Sequence, residues 1–353
     1  MRKTAWVRLR QKLRVIFFAS MGIGILFQLS CTNLEAVLKK AEKVLWQEKT
    51  SGPLQFQSDE YIVYRLQQGD TPVTLAKRFL GDGKRSWVIE DANEDTEFRE
   101  KQVVIIPLKT KNKGGLVVDG YQAVPILSYH HFAENCKSHL CVPAHIFEQH
   151  MGYLKKNGYR VITMSDLLGF LQYRHAIPKR SVVITIDDGY RSAYDIAYPV
   201  LKKYGFTATL LIYTDYIGVS RSSITWDQLR EMKADGFEVG SHTLSHCDLT
   251  KRIPGEQEPD YMARIKREIL ASKQVIDEEL QQDTICFAYP YGRYDATILN
   301  ICEQADYKIG VSVERGGNAF FADPLVLDRN QILKSDMHSF VSNLKIFNKF
   351  SLK

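Results

Sequence analysis

The sequence predicts an α/β protein: a distorted (β/α)7-type barrel preceded by a small βααβ domain. Two observations predict this. From Ala123 onward, short β-branched or apolar runs alternate with helical patterns, the signature of a mainly parallel sheet with helices outside it. About seven such repeats are enough for a closed or nearly closed barrel. Ahead of them, residues 61–108 read strand, helix, helix, strand, too little chain for more than a very small domain.

The chain has 353 residues, 44% of them apolar and 25% charged, as expected for folded domains and not for a disordered or fibrous chain. Its formal net charge is +6, but Arg2, Lys3, Arg8, Arg10, Lys12 and Arg14 crowd the N-terminus. With no basic stripe interleaved with aromatics elsewhere, nucleic acid is not an expected partner. Those cations precede the uncharged run VIFFASMGIGILFQLSC, the layout of an export signal over 1–31. Ser30 and Cys31 fit a lipoprotein signal, although Gln28 stands where an aliphatic residue is usual. An uncleaved anchor is the alternative. Either way the expected location is outside the cytoplasm, in the cell envelope and attached to a membrane.

Residues 32–58 begin with Leu34, Val37, Leu38, Ala41, Val44 and Leu45 at helical spacing and read as a spacer helix stopped by SGP at 51–53. The next segment, 59–109, starts with a strand to Leu66 and a GDT turn. Thr71 can cap a helix through Phe79, Ser86 to Ala92 form a second, and VVIIPL closes as a strand. It resembles the lysin motif, a cell-wall sugar-binding module. The matching residues are Tyr64, Gly69, Asp70, Thr71, Leu75, Ala76, Trp87, Ile89, Asn93, Ile106 and Pro107. Pro72, Glu100 and Lys101 depart from that pattern. Residues 110–122, rich in Lys, Asn and Gly, read as a linker to the main domain at 123–350.

In that domain strands are predicted at 124–129, 182–187, 208–213, 237–241, 285–289, 309–313 and 325–329. Helices are predicted near 145–157, 165–172, 191–204, 226–235, 260–281, 295–306 and 335–348. In parallel barrels chemistry gathers at the C-terminal ends of strands. There VVITIDDGY presents Asp187 and Asp188, GSHTLSH presents His242 and His246, FAYPYGRYD turns at Tyr291, and PILSYHHF ends on His130 and His131. Singly, each has a bland reading as an Asx turn or a structural histidine. Together, one carboxylate and two imidazoles with a position left for water compose a catalytic divalent-metal site, Zn²⁺ being the simplest choice. The second carboxylate is then free to act as a base. Of the remaining cysteines, Cys136 and Cys141 suit a small loop disulfide, with a metal site including His139 as the alternative; Cys286 and Cys302 read as buried thiols.

Residues 123–348 resemble the polysaccharide deacetylase family, carbohydrate esterase family 4, through TIDDG, SHTLSH and YPYG in that order. The resemblance implies Asp187 as general base, Asp188, His242 and His246 as metal ligands, and the Tyr291 backbone N–H as oxyanion donor. It also expects an Arg where this chain has Ala288; Arg329 in VLDRNQI, near another strand end, is the candidate replacement. No convincing copy of the family's C-terminal acid motif is present. PILSYHHF is similar instead to the subgroup acting on poly-N-acetylglucosamine, which makes His130 the general acid and sends His131 to the opposite side of the strand. His338 is the other candidate acid. The expected reaction is metal-dependent removal of N-acetyl groups from an N-acetylglucosamine-containing polysaccharide of cell wall or exopolysaccharide type. An O-acetyl xylan-type esterase and a non-catalytic wall-binding lipoprotein are the competing expectations.

Overall fold

The computed structural model describes residues 52–94, 96–333 and 336–350. The export signal expected at 1–31 and the spacer helix expected from 32 lie outside the described residues as far as residue 51. Among the described residues no helix is long and apolar enough to cross a membrane.

The described residues form two compact units, one holding residues 52–71 and 96–106, the other 72–94, 107–333 and 336–350. The first carries β1 (Leu54–Gln57), β2 (Tyr61–Arg65) and β3 (Val103–Pro107), joined in the order β1-β2-β3. Alternation along β2 and β3 buries Ile62, Tyr64, Val104 and Ile106 and leaves their neighbours toward solvent. Between β2 and β3 run α1 (Pro72–Leu80) and α2 (Ser86–Ala92). Pro72 opens α1, where its missing N–H removes no helical bond. The βααβ order is therefore present, with β1 as an unforeseen extra strand.

The second unit continues with β4 (Leu116–Val117), β5 (Gly120–Gln122), β6 (Ile126–Tyr129), β7 (His131–Ala133) and β8 (Cys141–Pro143). Then follow α3 (Ala144–Lys156), β9 (Arg160–Val161), α4 (Met164–Leu171), β10 (Ser181–Asp187), α5 (Tyr198–Tyr204) and β11 (Thr209–Ile212). After α6 (Trp226–Ala234) come β12 (Glu238–Ser241), α7 (Glu258–Leu280), β13 (Cys286–Ala288), α8 (Ala296–Gln304) and β14 (Ile309–Val311). The chain closes with β15 (Asn330–Gln331), α9 (Met337–Ser342) and β16 (Phe347–Lys349).

The main sheet is parallel in the order β14-β13-β12-β11-β10-β6-β15, with β9 paired to the start of β10. One segment links its two edges: Leu327 bridges Val311, and Asn330 and Gln331 pair with Leu127 and Ser128. The sheet is thus curled as in a distorted barrel. Alternation along β10 decides what faces inward. Ile184 and Ile186 join an outer core with Phe147, Met151, Leu201 and Leu229 on the covering helices, while Val183 joins an inner core with Met164, Leu167 and Phe170 of α4. Thr185 and Asp187 continue the Val183 side toward the C-terminal end of the strand.

Three sequence expectations are corrected here. The strand expected at 325–329 forms its ladder at Asn330–Gln331, because Arg329 turns its side chain into the interior and its backbone N–H donates to Glu314. The helix expected at 335–348 is only Met337–Ser342: Asn343 ends it, donating from its side chain to the Ser339 carbonyl, and Phe347–Lys349 pair antiparallel with β5. The stretch read as linker therefore contains β4 and β5, which with β16 form a small antiparallel sheet.

Candidate active site

Asp187 is the last residue of β10, buried to 1% exposure. Asp188 follows with φ 75°, held by its N–H donating to the Leu211 carbonyl at 3.0 Å. Gly189 continues the turn at φ 78°, and a Cβ there would lie 2.7 Å from Ile217 Cδ1. A side chain at this position would be strained by the backbone conformation and would press on Ile217. Thr243 (φ 73°), His246 (φ 61°) and Tyr291 (φ 59°) share the left-handed conformation. Each such residue costs on the order of 1–3 kcal/mol, and their gathering at neighbouring strand ends marks this rim as functional.

Around Asp188 the structure assembles His242 and His246, one ligand atom of each residue lying within 4.8 Å of the others. His242 Nδ1 sits 2.8 Å from the Ala288 carbonyl, which can only accept, so Nδ1 carries the proton and Nε2 keeps its lone pair. That Nε2 is 3.8 Å from Asp188 Oδ1, and His246 Nε2 is 3.5 Å from the same oxygen. Asp188 Oδ1 is buried without a hydrogen-bond partner. Burial raises the Asp188 carboxyl to about 6, lowers His242 to about 3 and pulls His246 down as well. Neutral imidazoles facing an orphaned carboxylate oxygen are a donor set that fits a divalent cation.

Asp187 is held differently. Burial pushes its carboxyl up, but the Arg329 guanidinium, with His130 and His242 behind it, outweighs burial and keeps it below the usual carboxylate range. Arg329 Nη1 donates to Asp187 Oδ1 at 2.7 Å and to Thr185 Oγ1 at 3.3 Å, while its Nε donates to the Ser312 carbonyl at 2.8 Å. His130 Nε2 approaches the other carboxylate oxygen at 3.9 Å. Ser128 Oγ is 3.5 Å from it. The Tyr291 side chain is 58% exposed and its ring stands 4.9 Å from that of His246. His338 lies apart from this grouping, exposed in the first turn of α9, where Asp336 caps the helix through the Ser339 N–H. Cys136 and Cys141 form a disulfide, which removes the thiolates that a site with His139 would need; Cys286 and Cys302 are buried free thiols.

A family model described as polysaccharide deacetylase matches residues 174–310. The structure of the Streptococcus pyogenes deacetylase PplD, solved in complex with acetate, is 30% identical with a TM-score of 0.57, and the match covers 64% of this chain and 99% of that one. The chain belongs to the polysaccharide deacetylase family. YxkH of Bacillus subtilis, whose name places it among the polysaccharide deacetylases, is 36% identical over 193 residues, 55% of this chain and 65% of its own. A poly-β-1,6-N-acetyl-D-glucosamine N-deacetylase of Staphylococcus aureus is 30% identical over 173 residues, 48% of this chain and 59% of its own. The chain thus spans less than two thirds of the length of these two curated relatives.

One residue of this polysaccharide deacetylase escaped the sequence reading. Glu268, buried on α7, accepts from the Leu244 and Ser245 N–H groups at 3.0 Å each and from Ser245 Oγ at 2.8 Å. It fixes the loop between the two histidines. Its signal was an acid within the buried series Tyr261, Ile265, Ile269, Ser272, Ile276 and Leu280.

Proposed function

We propose that the protein hydrolyses N-acetyl groups from an N-acetylglucosamine-containing polysaccharide of the cell envelope. The observation that carries this is the orphaned Asp188 oxygen facing His242 and His246, one residue from a carboxylate pinned by Arg329. Asp188, His242 and His246 would hold a divalent cation, Zn²⁺ by preference, which when bound makes a water acidic and polarises an acyl carbonyl.

Asp187, ionised through Arg329, accepts the proton of the attacking water. The Tyr291 N–H donates to the oxyanion that develops on the acyl carbonyl oxygen as water adds to the carbon, a bond of this kind being worth about 3–4 kcal/mol. His130, on the far side of the Asp187 carboxylate, donates a proton to the leaving sugar amine, which is otherwise a very poor leaving group. The Staphylococcus aureus relative, named for poly-β-1,6-N-acetyl-D-glucosamine, supports an N-acetylglucosamine polymer over an O-acetylated one. The βααβ segment, by its likeness to the lysin motif, is read as a module that holds the same class of polymer, and the N-terminal segment as an export signal that leaves the protein attached to a membrane.

The test is acetate release by the purified protein from N-acetylglucosamine oligomers and from an O-acetylated xylan. Release from the former, abolished by a chelator and restored by Zn²⁺, is the expected result. Asp187→Asn is expected to abolish release while retaining bound metal. Full activity in Asp187→Asn would sink the base assignment, and release from xylan alone would replace the substrate. A silent His130→Ala with an inactive His338→Ala would move the acid to α9.

A further inference from the structure

Five neighbouring strand ends around the barrel rim carry six aromatic rings, and the rings form one connected series. His131 follows β6, Tyr190 follows β10, Tyr213 and Tyr216 follow β11, His246 follows β12 and Tyr291 follows β13, strands that are adjacent in the sheet. Centroid separations along the series are 5.1 Å from His131 to Tyr190, 5.8 Å from Tyr190 to Tyr216 and 5.1 Å from Tyr216 to Tyr213. It then runs 5.5 Å from Tyr213 to His246 and 4.9 Å from His246 to Tyr291. The series passes through a proposed metal ligand, runs by way of Tyr190 and ends at His131, the neighbour of His130.

Core packing does not account for these tyrosines. Tyr190, Tyr213 and Tyr216 are half-exposed and belong to none of the hydrophobic clusters inside or outside the sheet. They are nevertheless fixed. Tyr213 and Tyr216 stack at 20°, Tyr190 stands at 75° to Tyr216 and 76° to His131, and Tyr216 Oη bonds Ser222 Oγ at 3.0 Å. Half-exposed rings held by one another offer apolar faces at little further cost in conformational entropy. A pyranose ring has one face of C–H groups and a rim of hydroxyls, the complement of such a surface. Neighbouring strands are about 4.8 Å apart, so rings on successive strand ends offer closely spaced contacts to an extended chain of sugars.

We propose that Tyr190, Tyr213 and Tyr216 form a glycan subsite that holds the N-acetylglucosamine units next to the reacting one, on the His131 side of the metal triad. The subsite rests on the function proposed above and adds to it a preference for polymer over short oligomer. Its occupant is a chain threaded along the rim, since the series is continuous with the reacting centre.

The experiment measures acetate release, full chain and metal-loaded, from N-acetylglucosamine oligomers from dimer to hexamer. With wild type, KM should fall as the oligomer lengthens. In Tyr216→Ala and Tyr190→Ala, KM for the hexamer should rise about tenfold, the dimer should respond far less, and the dependence on length should flatten. Tyr216→Phe, which keeps the ring and loses only the hydroxyl bonded to Ser222, should keep the dependence on oligomer length. Equal effects on dimer and hexamer, or a length dependence unaltered in Tyr216→Ala, would overturn the subsite. Should wild type release no acetate from any oligomer, the proposed reaction fails by itself, and calorimetric binding of the hexamer then decides the subsite. Weaker binding by Tyr216→Ala and Tyr190→Ala than by wild type supports it; equal binding, or none by wild type, overturns it. Thermal unfolding and metal content of each variant identify a loss that comes from misfolding, and in that event Tyr190→Leu replaces the failing variant.

Discussion

Arg329 Nη1 donates to Asp187 Oδ1 at 2.7 Å, and the two side chains are only 1% and 2% exposed. Ala288 occupies the position where an arginine was expected, and its carbonyl is engaged with His242. A guanidinium that can donate from several nitrogens at once spans Thr185, Asp187 and Ser312 from the opposite edge of the barrel.

Removing that guanidinium leaves a buried carboxylate without its counter-charge. Arg329→Ala should lower kcat/KM at least about a hundredfold and destabilise the fold by about 3–5 kcal/mol. Since Arg329 is what holds the Asp187 carboxyl low against burial, its loss should also move the acid limb of the pH–rate profile to higher pH. Arg329→Lys keeps the charge but loses the fork, so residual activity should carry the same shift in smaller degree. A pH–rate profile of wild type and Arg329→Lys checks this, and an unmoved acid limb would show that Arg329 does not set the base.

Glu268 acts at one remove on the grouping of Asp188, His242 and His246. By accepting from the Leu244 and Ser245 N–H groups it fixes the left-handed turn that aims His246. Outer partners of this kind typically contribute tenfold to a hundredfold in metal affinity. Glu268→Ala should therefore raise the Zn²⁺ dissociation constant by roughly that factor, with Glu268→Gln intermediate. Competition titration against a chromogenic chelator measures it.

The barrel and most of the residues gathered at the candidate site were legible because their signals are short and contiguous. Asp187 and Asp188 sit on one strand end, and His242 and His246 are separated by a single turn. Arg329 was legible only as a candidate, because nothing local says that a strand-end arginine will reach across the barrel. Glu268 was hidden because its partners lie on a loop more than a helix-length away in sequence. The β4-β5-β16 sheet was hidden for a related reason: three strands of two or three residues, separated by most of the domain, carry too little periodicity to read. The aromatic rim is likewise a property of strand order, scattered in sequence from Tyr190 to Tyr291.

The disulfide between Cys136 and Cys141 closes a loop of sequence separation 5 between β7 and β8, whose paired strands begin with His131 and Cys141. A loop this short restricts the unfolded chain only modestly. The double variant Cys136→Ser, Cys141→Ser should lose about 2 kcal/mol of stability. Urea unfolding with and without reductant checks it, since reductant should weaken wild type by that amount and leave the variant unmoved.

His150 should add to the acid sensitivity of the fold. It lies fully buried on α3, stacked at 3.9 Å on Phe340 of α9, with Nδ1 3.1 Å from Tyr129 Oη and Nε2 without a partner. Burial lowers its pKa to about 4, with the Asp336 charge opposing. In the unfolded chain an ordinary histidine takes its proton near 6.5. Between those values the unfolded state binds more protons than the folded one, so stability rises with pH across the window. The contribution is fully present above about pH 6.5 and is lost as the pH falls toward 4, about 3 kcal/mol in all. Urea unfolding at pH 7, 5.5 and 4.5 should show wild type losing stability more steeply than His150→Gln, whatever the variant loses at pH 7. Parallel pH dependences in the two proteins would remove His150 from the account and leave the acid sensitivity to the carboxylates.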